Sequence, residues 1–530
     1  MRNDTKSWSL QLYRLRTLLT SPVDAIPLDL FRIACGVLLF FYFFRTFLEA
    51  RDLSNPDGII DHQLIFEIFW FSKLGFFQNW MDLWVFQAVF LFACVLAIFL
   101  TIGYRVKLSS AILYIIAIST YRWNFIVMYV DDVIMHLLIF WMLVLPVGRT
   151  LTINGWMRNG RDAWETWKNV RVSGFALRCL FWNLALLYVV AGLWKWTSPM
   201  WVDGSALYVV FKLPISFASE FWQPEHIPYL KIFNYGTLIL EPLIPLMFVL
   251  RKGHYLKYLL LFAFLGLHIG SVAMLDIPFA NIACTVMPLL IFHRELMDWI
   301  RGISADNRTT ESNFRIKLSD AFAFVMVLTL TLAMVSSVTL PAWRTPARED
   351  NLIFARDNGY SAYQSEENPI PETRFVEDKP EGLGPIQATF FGILWCMGIA
   401  QQYQLFNWID DRNYNVRYQI SELLDGEVRS IEPELMFLQS TRGVLLQFYI
   451  HGITWARIPR ERREELRNSI LTRTANRFCG NNGPSGDISV RTTLERISAD
   501  EIFAVKDNIL LMKFRCIGST AVIETIASDP

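Results

Sequence analysis

Residues 81–103 read MDLWVFQAVFLFACVLAIFLTIG. From Leu83 to Tyr104 no side chain carries a charge. About twenty helical residues cover the ~30 Å hydrocarbon core of a bilayer, so this stretch is long enough to cross it. A buried strand or a core helix would be shorter and more punctuated. Working outward, comparable blocks occur at Leu28–Leu48, Leu108–Asn124, Tyr129–Gly148, Val172–Trp196, Tyr229–Leu250, Tyr255–Met274, Ile277–His293 and Leu318–Leu340. The expected fold is an all-α polytopic membrane helical bundle of about eight or nine spans. His62–Phe77 and Gly204–Trp222 mix aromatics with charge and read as helices lying at the membrane interface.

Composition agrees. Of 530 residues 53% are hydrophobic and 18% charged, below the quarter typical of soluble domains. The formal net charge is zero, so nothing suggests nucleic acid, and the apolar blocks make a lipid bilayer the expected partner. Arg and Lys gather at alternate loops. Arg14, Arg16, Arg105, Lys107, Arg149, Arg158, Arg161, Arg251, Lys252, Arg294 and Arg301 fall on one side; Arg51, Lys73, Arg122, Lys195 and Lys212 fall on the other. The positive-inside rule then puts the N-terminus in the cytoplasm. Residues 1–27 are polar and basic and resemble no removable signal, so the first span is expected to act as an uncleaved one.

The organisation expected is a cytoplasmic segment (1–27), a bundle (28–340), a polar Pro/Glu-rich linker (341–382), an interfacial or docked helix (383–405) and a small soluble α+β domain (406–530). The eleven residues of the apolar stretch Phe390–Ala400 are too few to span, which leaves the last domain outside; a tenth span would return it to the cytoplasm. Within it, Asp425-Gly426 between Tyr418–Leu424 and Val428–Ile431 signals a hairpin. Val444–Ile450 reads as a strand, Pro459–Phe478 as an amphipathic helix, and Ile509–Cys516 with Thr520–Ile526 as a second hairpin. If the domain is exported, Cys479 and Cys516 could pair; two unpaired thiols fit the spacing equally well.

Ionisable groups in membrane helices are costly and often functional. Lys195 sits among Trp194, Trp196 and Trp201, and reads either as a desolvated general base or as a lysine snorkelling through an aromatic belt. His268 is a proton relay or a structural knot between helices. Asp131 and Asp132 supply one inward-facing carboxylate and one helix cap. Glu241-Pro242 with Pro245 marks a break in a span, and Arg45 either neutralises outer carboxylates or snorkels. No Walker loop, HExxH, GxSxG or zinc-ligand spacing is present, so no metal is expected.

The order of these pieces resembles the HTTM (horizontally transferred transmembrane) family, related to vitamin K-dependent gamma-glutamyl carboxylase. The resemblance runs from about Ser21 to His293. It rests on Leu28-Asp29-Leu30-Phe31-Arg32-Ile33 with Gly36, Leu100-Thr101-Ile102-Gly103-Tyr104-Arg105, Trp123-Asn124 and Asn154-Gly155-Trp156. It continues in Tyr188-Val189-Val190-Ala191-Gly192-Leu193-Trp194-Lys195, Trp201-Val202-Asp203-Gly204, Leu267-His268 and Phe279, with Gln401–Phe406 similar to the join before the outer domain. The resemblance implies quinone-dependent oxygenation or carboxylation of an exported peptide, using a reduced quinone (vitamin K or menaquinol), oxygen and carbon dioxide. Lys195 would be the base and His268 its relay. Asn124 would donate to an oxyanion, and Trp123, Asp131, Trp194, Trp196, Trp201 and Glu241 would line the substrate site. The chain departs from the carboxylase pattern after Trp123-Asn124, where Phe125-Ile126-Val127-Met128 stands and the next histidine is His136. It also carries a smaller outer region. A non-enzymatic helper in export or maturation of a secreted peptide and a transporter are the rival expectations.

Overall fold

The computed structural model describes residues 20–79, 82–196, 198–302, 317–339, 413–424, 426–452, 460–482, 486–497 and 502–527. The expected linker at 341–382 and helix at 383–405 lie outside them, as do residues 1–19 of the N-terminal segment.

The long helices are α1 (Ala25–Glu49), α2 (Leu83–Ile102), α3 (Val106–Trp123), α4 (Val130–Val144), α5 (Phe175–Lys195), α6 (Ile227–Leu243), α7 (Tyr255–Met274), α8 (Pro278–Val286) and α9 (Leu318–Thr339). Among the described residues five stretches are long and apolar enough to cross a membrane: Ala25–Ser54, Leu83–Ile102, Phe175–Lys195, Pro224–Val249 and Tyr255–Met274. Their exposed faces are oily. On α7 only Lys257, Leu260, Phe264 and His268 are buried, a single helical stripe, while Phe262 is 79% exposed. On α6 the buried stripe contains Asn234, Thr237 and Glu241, whereas Ile232, Phe233 and Ile239 face outward. Exposed apolar area of this extent fits helices solvated by lipid and an integral membrane protein.

The other expected spans are shorter or more polar. α4 has 15 residues, about 22 Å of helix. The Ile277–His293 block arrives as α8 and a separate turn, Pro288–Ile291. Pro288 has no N–H to continue the hydrogen-bond ladder. His62–Phe77 and Gly204–Trp222 are not single interfacial helices. Each breaks into short turns, among them His62–Ile68 and Ala206–Lys212.

One end of the bundle is pinned by the Asp29–Arg32 pair, both fully buried. Asp29 accepts from the backbone N–H groups of Arg149 (3.0 Å) and Thr150 (2.6 Å) and from the Thr150 hydroxyl (2.8 Å). Arg32 donates to the carbonyls of Thr101 (2.7 Å) and Leu151 (2.8 Å), satisfying carbonyls at the end of α2. A Cβ on Gly36 would fall 2.8 Å from the Thr101 backbone nitrogen, so only glycine allows α1 and α2 to approach this closely. A short ribbon, β1 (Pro22–Asp24) paired antiparallel with β2 (Arg171–Ser173), ties the start of α1 to α5.

After the bundle come β3 (Tyr414–Leu424), β4 (Glu427–Ile431), α10 (Thr441–Ile450), α11 (Arg460–Asn482), β5 (Asp487–Ile497), β6 (Ile502–Ile517) and β7 (Thr520–Ile526). The sheet is antiparallel throughout in the order β4-β3-β5-β6-β7. Both expected hairpins form, and β5 joins them. The expected strand at Val444–Ile450 is instead the helix α10. Ser440 caps it by accepting from Gly443 N–H (3.3 Å), and the segment is buried on nearly all sides, so strict two-residue alternation has no solvent face to satisfy. Cys479 of α11 and Cys516 of β6 form a disulfide.

The sheet domain sits on the bundle. Leu53, Ile59, Ile60 and Ile65 share one buried apolar cluster with Met436, Leu446, Ile450 and Ile470. Around it Arg473 donates to the Pro56 carbonyl (2.6 Å), and Arg477 pairs with Asp52 (2.7 Å).

Candidate functional site

Lys195 ends α5 and Glu241 lies late in α6. The two helices meet because Gly192 has no side chain: a Cβ there would lie 2.8 Å from Cδ and Cγ of Pro242. That contact brings Lys195 Nζ to 2.8 and 2.7 Å from the two carboxylate oxygens of Glu241. The lysine is 2% exposed, and the Trp201 ring covers its ammonium at 5.3 Å. Asn234, two turns before Glu241 on the same face, donates to the Trp201 carbonyl (2.8 Å), and its own side-chain oxygen is buried without a hydrogen-bond partner. The residue read from sequence as a helix break is thus the counter-ion of the residue read as a lone lysine. Trp194 is half-buried, whereas Trp196 is 51% exposed.

His268 belongs to a second cluster. Tyr188 lies seven residues before Lys195 on α5, about 10 Å along the same face. Its hydroxyl is 2.8 Å from His268 Nε2 and 3.3 Å from Cys284 Sγ. His268 Nδ1 is 2.9 Å from Asn281 Oδ1, and the Asn281 amide nitrogen donates to the Ile277 carbonyl (2.9 Å). Sequence reading quoted Tyr188 only as part of a motif and gave Asn281 and Cys284 no role. The i, i+3 spacing of Asn281 and Cys284 on a helix beside His268 was the available signal.

A third polar cluster joins Arg45, Asp132 and Asp276 through Glu49, Arg442 and Thr441. Arg442, on α10 and 2% exposed, pairs with Glu49 (2.7 Å) and Asp132 (2.7 Å). Asp132 also accepts from the Tyr42 hydroxyl (2.6 Å) and from Tyr129 N–H (3.0 Å), capping its own helix. Arg45 reaches Glu49 and Asp276, so it neutralises carboxylates and does not snorkel. Asp276 in turn accepts from Thr441 N–H (2.9 Å). Asp131 faces a different helix: it accepts from Ala280 N–H (2.8 Å), Phe279 N–H (3.3 Å) and the Tyr129 hydroxyl (3.1 Å), and so caps α8.

Trp123 and Asn124 are engaged elsewhere, the Asn124 side-chain oxygen alone being buried without a hydrogen-bond partner. Trp123 donates to the Ser54 carbonyl (2.7 Å) and Asn124 to the Ser54 hydroxyl (2.9 Å). His62 stacks on Trp123 at 4.1 Å, and its two ring nitrogens face the carbonyls of Trp123 (3.0 Å) and Leu53 (3.1 Å). Burial pushes His62 down to about 3, outweighing both carbonyls, so the ring is neutral. The structure therefore gathers Lys195, Glu241 and Trp201; it holds His268 in a neighbouring cluster; and it gives Trp123, Asn124 and Asp131 partners of their own. Among the described residues no three His, Cys, Asp or Glu side chains are grouped to hold a metal. No family model, curated protein or solved structure matches this chain.

Proposed function

We propose that this chain is an HTTM-type membrane enzyme of the carboxylase-like class, with Lys195 and Glu241 as its proton-handling pair. The observation that carries the reading is the ion pair itself, buried between two apolar helices where a charge without a task is costly. Lys195 passes a proton to Glu241 across 2.7 Å, and the resulting amine takes one from an acidic hydroxyl. Trp201 excludes water from the exchange. A quinol would be held by the Trp201 ring as a flat apolar wall and by the orphaned Asn234 oxygen as an acceptor for its hydroxyl. Such a group, with oxygen, supplies the chemistry that carboxylation of an exported peptide by carbon dioxide requires. His268 orients or relays within the adjoining cluster.

In this reading α3, α4, α8 and α9 complete nine spans, the N-terminus is cytoplasmic and the sheet domain is outside. The Lys/Arg distribution and the Cys479–Cys516 disulfide, which suits an oxidising compartment, support that orientation.

The test is epoxide formation from reduced vitamin K or menaquinol with oxygen, using detergent-purified protein and mass spectrometry. Lys195→Arg is the decisive variant. It keeps the charge pair but cannot surrender its proton. Epoxide from wild type and none from Lys195→Arg is expected. Equal turnover by both, or no turnover and no quinone-induced rise in Tm, overturns the reading. The docked sheet domain favours a second one, a non-enzymatic helper for a secreted peptide. In that case loss of the domain after Pro341 abolishes function while Lys195→Arg is tolerated.

A further inference from the structure

The Tyr188–His268–Asn281–Cys284 cluster has a definite hydrogen-bond direction. Because the Asn281 amide nitrogen donates to Ile277, its oxygen faces His268 and can only accept. Nδ1 of His268 must then carry the ring proton, which leaves Nε2 with a lone pair. The single Tyr188 hydroxyl hydrogen lies between two acceptors: the Cys284 sulfur, to which it donates at 3.3 Å, and Nε2 of His268, 2.8 Å away. A nucleophile, a base and a side chain that orients the base thus stand in sequence, the arrangement that activates a thiol for acyl transfer.

Access narrows the electrophile. Among the described residues four cysteines are free, and Cys284 is the half-buried one, whereas Cys35, Cys94 and Cys179 are buried. Its neighbours along α8, Ile282, Thr285 and Val286, are also half-buried, and Ile269 on the adjoining turn of α7 is 57% exposed. In a membrane these half-buried apolar positions, packed at the edge of the core, would be reached by hydrocarbon chains and poorly by water-borne reagents.

We propose that Cys284 is an intramembrane nucleophile that accepts a fatty acyl group from a membrane-soluble donor, with His268 as its base and Tyr188 and Asn281 as positioning residues. The thiol proton passes through the Tyr188 hydroxyl to Nε2. The sulfur attacks the acyl carbonyl, forming the S–C bond of a thioester and breaking the bond to the donor's leaving group. That group departs with the proton held on His268, so no oxidant or reductant is needed. During attack the Tyr188 hydroxyl turns and donates to the thiolate. The site is independent of the Lys195–Glu241 pair and stands whether or not that pair handles a quinone.

The experiment places purified protein in lipid nanodiscs and supplies alkynyl palmitoyl-coenzyme A in one arm and a phosphatidylcholine with an alkynyl chain in the other. The label is followed by hydroxylamine sensitivity and peptide mapping. Wild type is expected to take a hydroxylamine-labile label on Cys284 from one arm, which identifies the donor as a thioester or a lipid ester. Cys284→Ser should carry none. Tyr188→Phe, which keeps the buried ring, and His268→Gln should slow labelling at least tenfold and remove its rise with pH, while Cys94→Ser labels normally. No label on wild-type Cys284 from either arm overturns the proposal. So does labelling of Tyr188→Phe and His268→Gln at the wild-type rate and pH profile, which would mark an ordinary acylated cysteine.

Discussion

Arg442→Met isolates the contact that joins the sheet domain to the bundle. The guanidinium is 2% exposed and bridges Glu49 and Asp132, each at 2.7 Å. Removing one member of a buried ion network strands its partners and costs about 3–5 kcal/mol. Here Glu49 retains Arg45, and Asp132 retains Tyr42 and the Tyr129 N–H, which places the cost near the lower bound. About 3 kcal/mol is roughly a hundredfold increase in the population of the undocked domain. Hydrogen exchange at the amides of α10 reads that population directly, because opening there requires the helix to leave the bundle. A hundredfold acceleration is expected for Arg442→Met, with much of it reversed in Arg442→Met/Asp132→Asn, which removes the stranded charge. Less than a fivefold change in the single variant would mean that the shared apolar cluster alone holds the domain.

Three further outcomes follow from the geometry. Gly192→Ala places a methyl 2.8 Å from Pro242 and should cost about 1–3 kcal/mol, seen as a lower Tm of the purified protein; an unchanged Tm would separate α5 from α6 at that point. Reducing Cys479–Cys516 frees a loop with a separation of 37 residues and should cost the sheet domain about 4 kcal/mol in chemical denaturation with and without dithiothreitol. His62 is held down at about 3 by burial, so its stabilising contribution is complete above an unfolded value near 6.5 and is lost as pH falls towards 3. Each unit in that window should cost about 1.4 kcal/mol, and His62→Phe should flatten the profile of Tm against pH between 6.5 and 5.

The helices of the bundle were legible because apolar length is a property of contiguous sequence: α1, α2, α5 and α7 fall within a few residues of their expected ranges. The ion pairs were not. Lys195 and Glu241, or Asp132 and Arg442, are far apart in the chain, and which of them meet depends on the crossing of helices that no local pattern records. Glu241 was visible as a polar residue beside a proline, but its meaning came from Gly192 on another helix. The strand expected at Val444–Ile450 failed for a related reason. Its residues are packed on all faces by bundle and sheet together, so alternation carried no information about pairing. His268 was read as either relay or knot, and its neighbours Asn281 and Cys284 went unnoticed because the i, i+3 pair gains significance only beside Tyr188.

The Asp29–Arg32 cluster has a consequence for the order in which the chain is made. Arg32 finds acceptors at Thr101 and Leu151, and Asp29 finds donors at residues 149 and 150. While the ribosome is still short of that loop, the leading helix carries both charges with only each other for company. It cannot settle into lipid by itself at low cost. The first helices should therefore be retained together at the insertion machinery and released as a group once Leu151 has emerged.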